Sequence, residues 1–201
     1  MKNSHDADTT RQRILRAAFK EFYRHSFQAS GLNRIVEQAN LTKGALFHHF
    51  TSKQELGYAV VEEVIWPECK ARWIDPLDHT DDPIKDIKGQ LQHVIHEGPL
   101  GGNLVQGCPL NNLAQEMSPL DEGFRQRLDK IYVAWRLAVA TALGRGIRAG
   151  NVRKDVSPSK VAAFIVAALE GIMGTAKNSQ NEQLLWEVGD ALCDYLDSLR
   201  P

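Results

Sequence analysis

Residues 32–56 constrain what this chain can fold into more than any other stretch of its sequence. Their apolar side chains have the spacing of two short helices, at positions 35–39 and 46–50. Asn40 lies between the two, and asparagine adopts the left-handed backbone conformation that ends many helices more readily than any residue except glycine. The stretch is therefore predicted to be a helix-turn-helix.

The second of these helices has a first turn that favours close approach to another molecule. Thr42 is a good N-cap residue, and Lys43, Gly44 and Ala45 follow it. The small side chains let the start of a recognition helix reach the base edges of the DNA major groove, where bulky ones would hold it away. We expect Lys43, Gly44 and Ala45 to lie in the groove.

Other residues around this motif are candidate contacts to DNA. Ser52 and Glu55 have the spacing of a capping box, which starts the next helix and leaves Lys53 free beside amides that attract anions. Asn33, on the exposed face of the preceding helix, is a candidate reader of an adenine edge or a phosphate. The residues expected on or near phosphates are Thr42, Phe47, His48, His49 and Lys53.

Charge is divided unevenly along the chain. Residues 1–56 carry nine lysines and arginines against five acidic residues, and residues 57–201 carry fifteen against twenty, giving net charges of +4 and −5. A basic module on an acidic body is typical of a nucleic-acid-binding protein with a separate second function. Four basic residues of the opening helix are expected either to contact phosphates or to form a solvated face. They are Arg11, Arg13, Arg16 and Lys20.

The motif resembles the DNA-binding signature of the tetracycline-repressor-like (TetR) family of bacterial regulators. The resemblance is carried by the run LTKGALFHHF at 41–50, followed by SK at 52–53 and EL at 55–56. The chain departs from the family at Phe47, where tyrosine is common and its hydroxyl can reach a phosphate. Two more departures are Gly31, where serine or threonine is frequent, and Asn40, where glycine is usual.

Helical periodicity and this resemblance together predict the fold. We expect an all-α protein of about nine helices, with an N-terminal three-helix helix-turn-helix DNA-binding domain and a C-terminal helical ligand-binding and dimerisation domain. The expected boundaries are a disordered arm at residues 1–8, the DNA-binding domain at 9–56 and the second domain at 57–201. Helix starts marked by proline are expected at Pro83, Pro109, Pro119 and Pro158.

Two C-terminal helices, near residues 161–176 and 182–199, are expected to form half of a four-helix bundle between two subunits. The first is apolar nearly all round and rich in alanine and glycine, which permits close helix approach. Burial within one subunit is the alternative. One helix-turn-helix per subunit reads a palindromic operator only as a pair, so the expected partners are double-stranded operator DNA and a second copy of the chain.

A large apolar body attached to a DNA-binding module needs an input, and the resemblance implies a small-molecule effector. Candidate pocket walls, each also consistent with plain core packing, are Trp66, Trp73, Trp135, Phe164 and Met173. Cys108 precedes Pro109 at a predicted helix N-terminus, where the helix dipole favours a thiolate. Its Gly-Cys pair is also similar to family members that sense electrophiles or oxidants, whereas inert packing is the alternative.

The cysteines and histidines give little support to a metal or disulfide site. Three cysteines, odd in number and far apart, argue against a disulfide framework or a Cys-x-x-Cys zinc site and favour a reducing cytoplasm. His93 and His96 share a helix face and, with Glu97 and Cys108, are the one candidate metal site, but they lack a dense ligand spacing, so no metal is expected.

Two further protein classes find weak support. No apolar run approaches the ~20 residues of a membrane span, and residues 1–8 lack the apolar core of a secretory signal, so no membrane partner is expected. No catalytic or cofactor-binding motif stands out, so we expect neither catalysis nor a cofactor. An all-helical enzyme acting on a small molecule is the alternative.

Overall fold

A computed structural model of the chain describes residues 2–97 and 106–201, with side chains for 9–95 and 106–201. Regular elements in these ranges are all helical, which confirms the all-α prediction. The helices are α1 (Lys2–His25), α2 (Leu32–Gln38), α3 (Lys43–His49), α4 (Lys53–Val60), α5 (Trp66–Cys69), α6 (Pro83–Glu97), α7 (Pro109–Met117), α8 (Glu122–Ala149), α9 (Pro158–Ser179) and α10 (Glu182–Asp197). With α4 and α5 counted as one segment, joined by a π-helical turn at Val61–Ile65, the described ranges hold the nine helices expected.

The chain divides into two compact units. The first comprises Met1–Pro67 and Asn112–Leu128, and the second comprises Glu68–Asn111 and Asp129–Pro201. The first unit therefore contains a segment from the middle of the chain in addition to α1–α4. The functional boundary at residue 56 and the arm at 1–8 stay predictions, although α1 already begins at Lys2.

The core of the first unit is made from the apolar faces of its four N-terminal helices. Helix α1 packs against α2, α3 and α4. Fully buried side chains contributed by these helices include Ile14, Leu15, Ile35, Leu46 and Leu56. Phe124, at the start of α8, packs edge-on against Phe27 and Tyr58 with ring centroids 4.8 and 4.9 Å away, so the inserted segment is part of this core.

A buried carboxylate joins α1 to α2. The Glu21 side chain is fully buried, and its Oε1 lies 2.6 Å from Nε of Arg34. Its Oε2 accepts a hydrogen bond from Nε2 of Gln38 at 2.9 Å. A buried charge is stable only when it is paired, so these contacts hold the first helix of the helix-turn-helix in one position on α1.

Three of the four proline-marked helix starts are confirmed, and one is wrong. The confirmed starts are Pro83, Pro109 and Pro158. Helix α8 begins at Glu122 instead of Pro119, because Asp121 is its N-cap and accepts the backbone N–H of Phe124 at 2.9 Å. A capping side chain therefore decided this helix start.

The second unit contains α6, α9, α10 and most of α8, with α10 packed against both α6 and α9. Trp135 on α8 and Ile165 and Leu169 on α9 are among its buried side chains. By length and composition alone, α9 passes as a membrane span within the described chain, with 44% of its apolar window buried. A core helix passes the same test, so this is weak support for a membrane span.

Helix α9 also leaves a strip of small side chains uncovered. Ala163, Ala167 and Gly171 are exposed, and a Cβ atom added at Gly171 would meet nothing within 4 Å. Beside this strip Phe164 is 50% exposed, and on α10 Trp186 is 48% exposed. Exposed aromatic groups next to small residues are typical of a surface that a partner covers, and the predicted intersubunit bundle would use this surface.

Candidate nucleic-acid interface and effector site

The turn between α2 and α3 is fixed by the residue that the sequence singled out. Asn40 has a φ angle of +52°, in the left-handed region where asparagine is tolerated. The N–H of the next residue, Leu41, donates to the carbonyl of Val36 at 2.9 Å, which closes the end of α2. The prediction for this turn is confirmed.

Arg13 on α1 stabilises the same turn. Its Nη2 donates to the carbonyl oxygens of Ala39 and Asn40 at 2.6 and 3.2 Å, which otherwise end α2 without partners. Arg11 forms an ion pair with Glu63. Of the four basic residues that the sequence singled out in this helix, these two therefore serve the fold, while Arg16 and Lys20 are exposed.

Helix α3 presents its first turn as the sequence predicts. The Thr42 hydroxyl accepts the N–H of Ala45 at 3.2 Å, so Thr42 is the N-cap. Lys43 and Gly44 are exposed, and a Cβ added at Gly44 would meet only the Thr42 hydroxyl, at 3.8 Å. The turn is thus both fixed in conformation and open to an approaching duplex.

The remaining candidates on α2 and α3 lie around this turn with different exposure. Asn33 and His48 are exposed, and the Phe47 ring is 49% exposed. His49 is half-buried. Burial is the largest cause of its lowered pKa, and the charges of the neighbouring His48 and Arg11 act in the same direction. A neutral His49 contributes less to phosphate attraction than the sequence alone suggests.

Lys53 is not free, which corrects the sequence-based expectation. Its Nζ donates to the carbonyl of Gln28 at 3.1 Å and lies 4.7 Å from the centroid of the Phe27 ring. Burial lowers its pKa, although the Glu116 and Glu21 charges act in the opposite direction. The Lys53 side chain lies against the Phe27 ring, which is distant in sequence, instead of extending into solvent.

The capping box of α4 forms with one change of partner. Ser52 accepts the N–H of Glu55 at 3.0 Å, as predicted. Glu55 reaches one residue further back than a standard box, accepting the N–H of Thr51 at 2.7 Å and its hydroxyl at 2.5 Å. These two hydrogen bonds are the main cause of the lowered pKa of Glu55.

In the second unit, polar side chains from four segments meet at one buried carboxyl group. Glu170 on α9 is 7% exposed. Its Oε1 accepts hydrogen bonds from the Cys108 thiol at 3.5 Å and the Tyr132 hydroxyl at 3.3 Å. Its backbone carbonyl accepts from Nδ2 of Asn111 at 3.4 Å. We call Cys69, Cys108, Tyr132 and Glu170 the carboxyl cluster, because the Glu170 charge acts on the other three.

Burial controls the ionisation of the carboxyl cluster. It raises the pKa of Glu170 to about 7, against the opposing effect of hydrogen bonds from Cys108 and Tyr132. Burial is also the largest cause of the raised pKa of Tyr132 and of the raised pKa of Cys69. The pKa of Cys69 reaches about 12. At neutral pH the thiols and the phenol are therefore protonated, and Glu170 is close to the midpoint of its titration.

The thiolate expected at Cys108 is contradicted by this environment. The amides of Asn111 and Leu110 at the start of α7 do favour the thiolate, as a helix N-terminus should. Burial of the thiol and the Glu170 charge outweigh them and raise the pKa of Cys108 well above its ordinary value. Cys108 rests in the thiol form, because a low dielectric and a neighbouring carboxylate penalise its anion more than two amides stabilise it.

The aromatic candidates separate into different places. The rings of Trp73 and Trp135 lie in contact with centroids 4.9 Å apart and planes tilted by 31°, and Trp135 is buried. Met173, one helical turn beyond Glu170, is buried too. Phe164 is half exposed with its ring against Tyr195, and Trp66 belongs to the first unit. The structure therefore brings Trp73 and Trp135 together and places Met173 one turn from Glu170, while Trp66 and Phe164 lie elsewhere.

Sequence reasoning missed Glu170, Tyr132 and Asn111. One signal was available, because Glu170 is the only charged residue between positions 161 and 176. A lone charge in an apolar helix is rarely fully buried unless it has a function or a partner. The side chains of His96 and Glu97 lie outside the described residues, and the described ones contain no group of three or more potential metal ligands.

Comparison with known family models agrees with this geometry. The model described as bacterial regulatory proteins, tetR family, matches residues 14–60. The model for the tetracyclin repressor-like C-terminal domain matches residues 91–192. The HTH-type transcriptional repressor DhaR of Mycobacterium sp. (strain GP1) is 25% identical over 193 residues, covering 94% of this chain and 95% of DhaR.

Solved structures share the whole architecture. A TetR-family transcriptional regulator from Cytophaga hutchinsonii superposes with a TM-score of 0.85 at 22% identity, covering 97% of this chain and 96% of that one. The reduced form of NemR from E. coli superposes with a TM-score of 0.80 at 21% identity, covering 94% and 96%. At these identities the likeness shows the fold.

Proposed function

Because the chain belongs to the TetR family of bacterial regulatory proteins, we propose that it is a repressor which a small molecule releases from a palindromic operator. Family membership makes it a ligand-responsive DNA-binding transcriptional regulator and not an enzyme. The observation that carries the proposal is the capped and exposed first turn of α3 at Lys43 and Gly44.

In this proposal α3 enters the major groove with Lys43, Gly44 and Ala45 facing base edges. A lysine at the first turn of a recognition helix can donate to guanine, and the small neighbours set how close the helix axis comes. Residues assigned to phosphates or the groove edge are Asn33, Thr42, Phe47, His48, His49 and Lys53. For Lys53, release of its Gln28 contact would accompany binding.

The operator-binding form is proposed to be a cytoplasmic homodimer. The uncovered strip of α9 at Ala163, Ala167 and Gly171, with Phe164 beside it and Trp186 on α10, is the surface assigned to the second copy. Small residues let two helices approach closely, and the aromatic groups supply apolar area. Phe164 is accordingly assigned to this surface instead of the effector site.

The effector is proposed to bind in the second unit near the carboxyl cluster, with Trp73, Trp135 and Met173 beside it. Helix α7 is the element proposed to transmit ligand binding, because one of its ends contacts Glu170 and the other contacts the chain between α1 and α2. Near its start Asn111 donates to the Glu170 carbonyl, and near its end Glu116 accepts the N–H groups of Phe27 and Gln28, both at 2.8 Å. A ligand that displaces α7 would act on the turn between α1 and α2. It would lower operator affinity only by as much as it binds the released form of the protein more tightly than the operator-binding form.

The DNA-binding part is tested with Lys43→Ala, and Lys154→Ala, an exposed lysine of the second unit, serves as the control. A binding site is first selected from fragments of the source genome, and affinity is then measured by fluorescence anisotropy at two salt concentrations. We expect Lys43→Ala to weaken binding roughly tenfold and, if Lys43 also neutralises a phosphate, to reduce the salt slope by about 0.9. Equal affinity and salt slope for Lys43→Ala and the wild type would contradict the assignment of α3.

A thiol-reactive effector is the second candidate, favoured by the 3.5 Å distance from the Cys108 thiol to a carboxyl oxygen that can accept its proton. In that case an activated alkene would add to sulfur, while the thiol proton passes to Glu170 and then to carbon. Cys108→Ser separates the candidates, since it abolishes irreversible release from DNA by an alkene but leaves reversible release intact. A mass increase of the protein equal to that of the alkene is the direct measurement.

A further inference from the structure

Glu170 is the most unusual group in the second unit. Its side chain is more than nine-tenths buried, yet Oε2 accepts no hydrogen bond from any described residue and is itself inaccessible to solvent. The influences on its pKa are burial and two neutral donors, with no positive charge among them. An ionised carboxylate in such a place lacks the partner that buried charges require.

The surroundings of Glu170 show which kind of group is missing. The Cys108 thiol and the Tyr132 hydroxyl both donate to Oε1, so the two neighbouring donors leave Oε2 unsatisfied. The other members of the carboxyl cluster are acids and cannot supply a cation. A donor that carries a positive charge would satisfy Oε2 and remove the electrostatic penalty of ionising Glu170 at the same time.

An aromatic pair begins about one helical turn along α8 from Tyr132, the residue whose hydroxyl contacts this carboxyl group. Trp135 follows Tyr132 by three residues on α8, so both lie on the same face of that helix. The Trp73 ring lies against Trp135 at a tilt of 31°, and Trp73 follows the buried Cys69 by four residues, which places it about one turn from the same cluster. Indole rings suit the apolar body of an organic cation and add cation–π attraction to its charged end.

From the unsatisfied buried Oε2 of Glu170 and the adjoining indoles of Trp73 and Trp135, we propose that the effector is an organic amine, whose ammonium group binds Glu170 and whose apolar body lies against the two indoles. This rests on the proposed function, since it names the ligand class of the regulator. The carboxylate discriminates against anions by repulsion and against alcohols by the weaker hydrogen bond that a neutral donor provides.

The test uses three probes of the same shape and different charge: 4-phenylbutylamine, 4-phenylbutanol and 4-phenylbutanoate. Binding to the full-length protein without DNA is measured by calorimetry and by tryptophan emission, for the wild type, Glu170→Gln and Glu68→Gln. Glutamine keeps the shape of Glu170 and removes its charge, and Glu68 is an exposed glutamate of the same unit. Thermal melts establish that each variant is folded.

We expect the wild type and Glu68→Gln to bind the amine about tenfold or more tightly than the alcohol, and the carboxylate least, because a charge-assisted hydrogen bond exceeds a neutral one. In Glu170→Gln the preference for the amine should disappear while alcohol binding persists. Equal binding of amine and alcohol by the wild type, no binding of the amine at millimolar concentration, or an amine preference retained in folded Glu170→Gln would overturn the proposal. Operator affinity is measured separately, so failure of the α3 assignment leaves this result interpretable.

Discussion

Replacing Glu170 by glutamine should change how the stability of the protein depends on pH. The folded chain buries this carboxyl group, and burial raises its pKa from 4.5 to about 7. The native state therefore holds the proton more tightly than the unfolded state does. Stability contributed by this group is complete below about pH 4.5 and is lost as the pH rises to about 7.

The size of the effect follows from the shift. A difference of one pKa unit corresponds to about 1.4 kcal/mol, so a rise from 4.5 to about 7 corresponds to roughly 3 kcal/mol. Glutamine has no proton to lose and keeps a hydrogen-bonding group of the same shape at the site. The unfolding free energy of Glu170→Gln, relative to that of the wild type, should thus rise by roughly 3 kcal/mol between pH 4.5 and pH 8.

Urea unfolding followed by far-UV circular dichroism measures this difference, at one fixed protein concentration because subunit association also stabilises the fold. The wild type, Glu170→Gln and the exposed control Glu68→Gln are compared at half-unit steps of pH. All other titrating groups are common to the variants, so their contributions cancel in the difference. Stability curves of the wild type and Glu170→Gln that stay parallel across this range would refute the reasoning from burial.

Three glycine substitutions separate contacts within the chain from contacts with partners. Gly44→Leu should leave stability unchanged or raise it by up to about 1 kcal/mol, because an added Cβ meets only the Thr42 hydroxyl at 3.8 Å. The same variant should lower operator affinity at least tenfold in anisotropy titrations. Unchanged affinity would count against the placement of α3 in the groove. Gly57→Ala should cost roughly 1–3 kcal/mol in urea unfolding, because its Cβ would lie 2.5 Å from the Phe124 ring and 2.6 Å from the Phe27 ring. Gly171→Leu has open space around its Cβ and should shift sedimentation towards the monomer without unfolding the chain, whereas a variant that stays dimeric argues against the α9 surface.

The sequence determined the parts of this protein that depend on local conformation. The turn at the left-handed Asn40, the Thr42 N-cap and the Ser52 capping box each join residues at most five apart. Their physics is complete within one or two helical turns, which is why the helix-turn-helix and its exposed first turn could be predicted from residues 32–56. The one wrong proline start was also local, but there two helix-start signals competed and Asp121 prevailed over Pro119.

The tertiary structure alone decided which charges are free and which are buried. Lys53 had the local setting of a phosphate contact, but Gln28 and Phe27, about 25 residues away in sequence, engage it. Cys108 had the local setting of a thiolate, but the carboxyl of Glu170, 62 residues later, faces it in a buried site. Ionisation depends on the dielectric and the charges that surround a group in space, and these are set by which helices pack together and not by sequence neighbours.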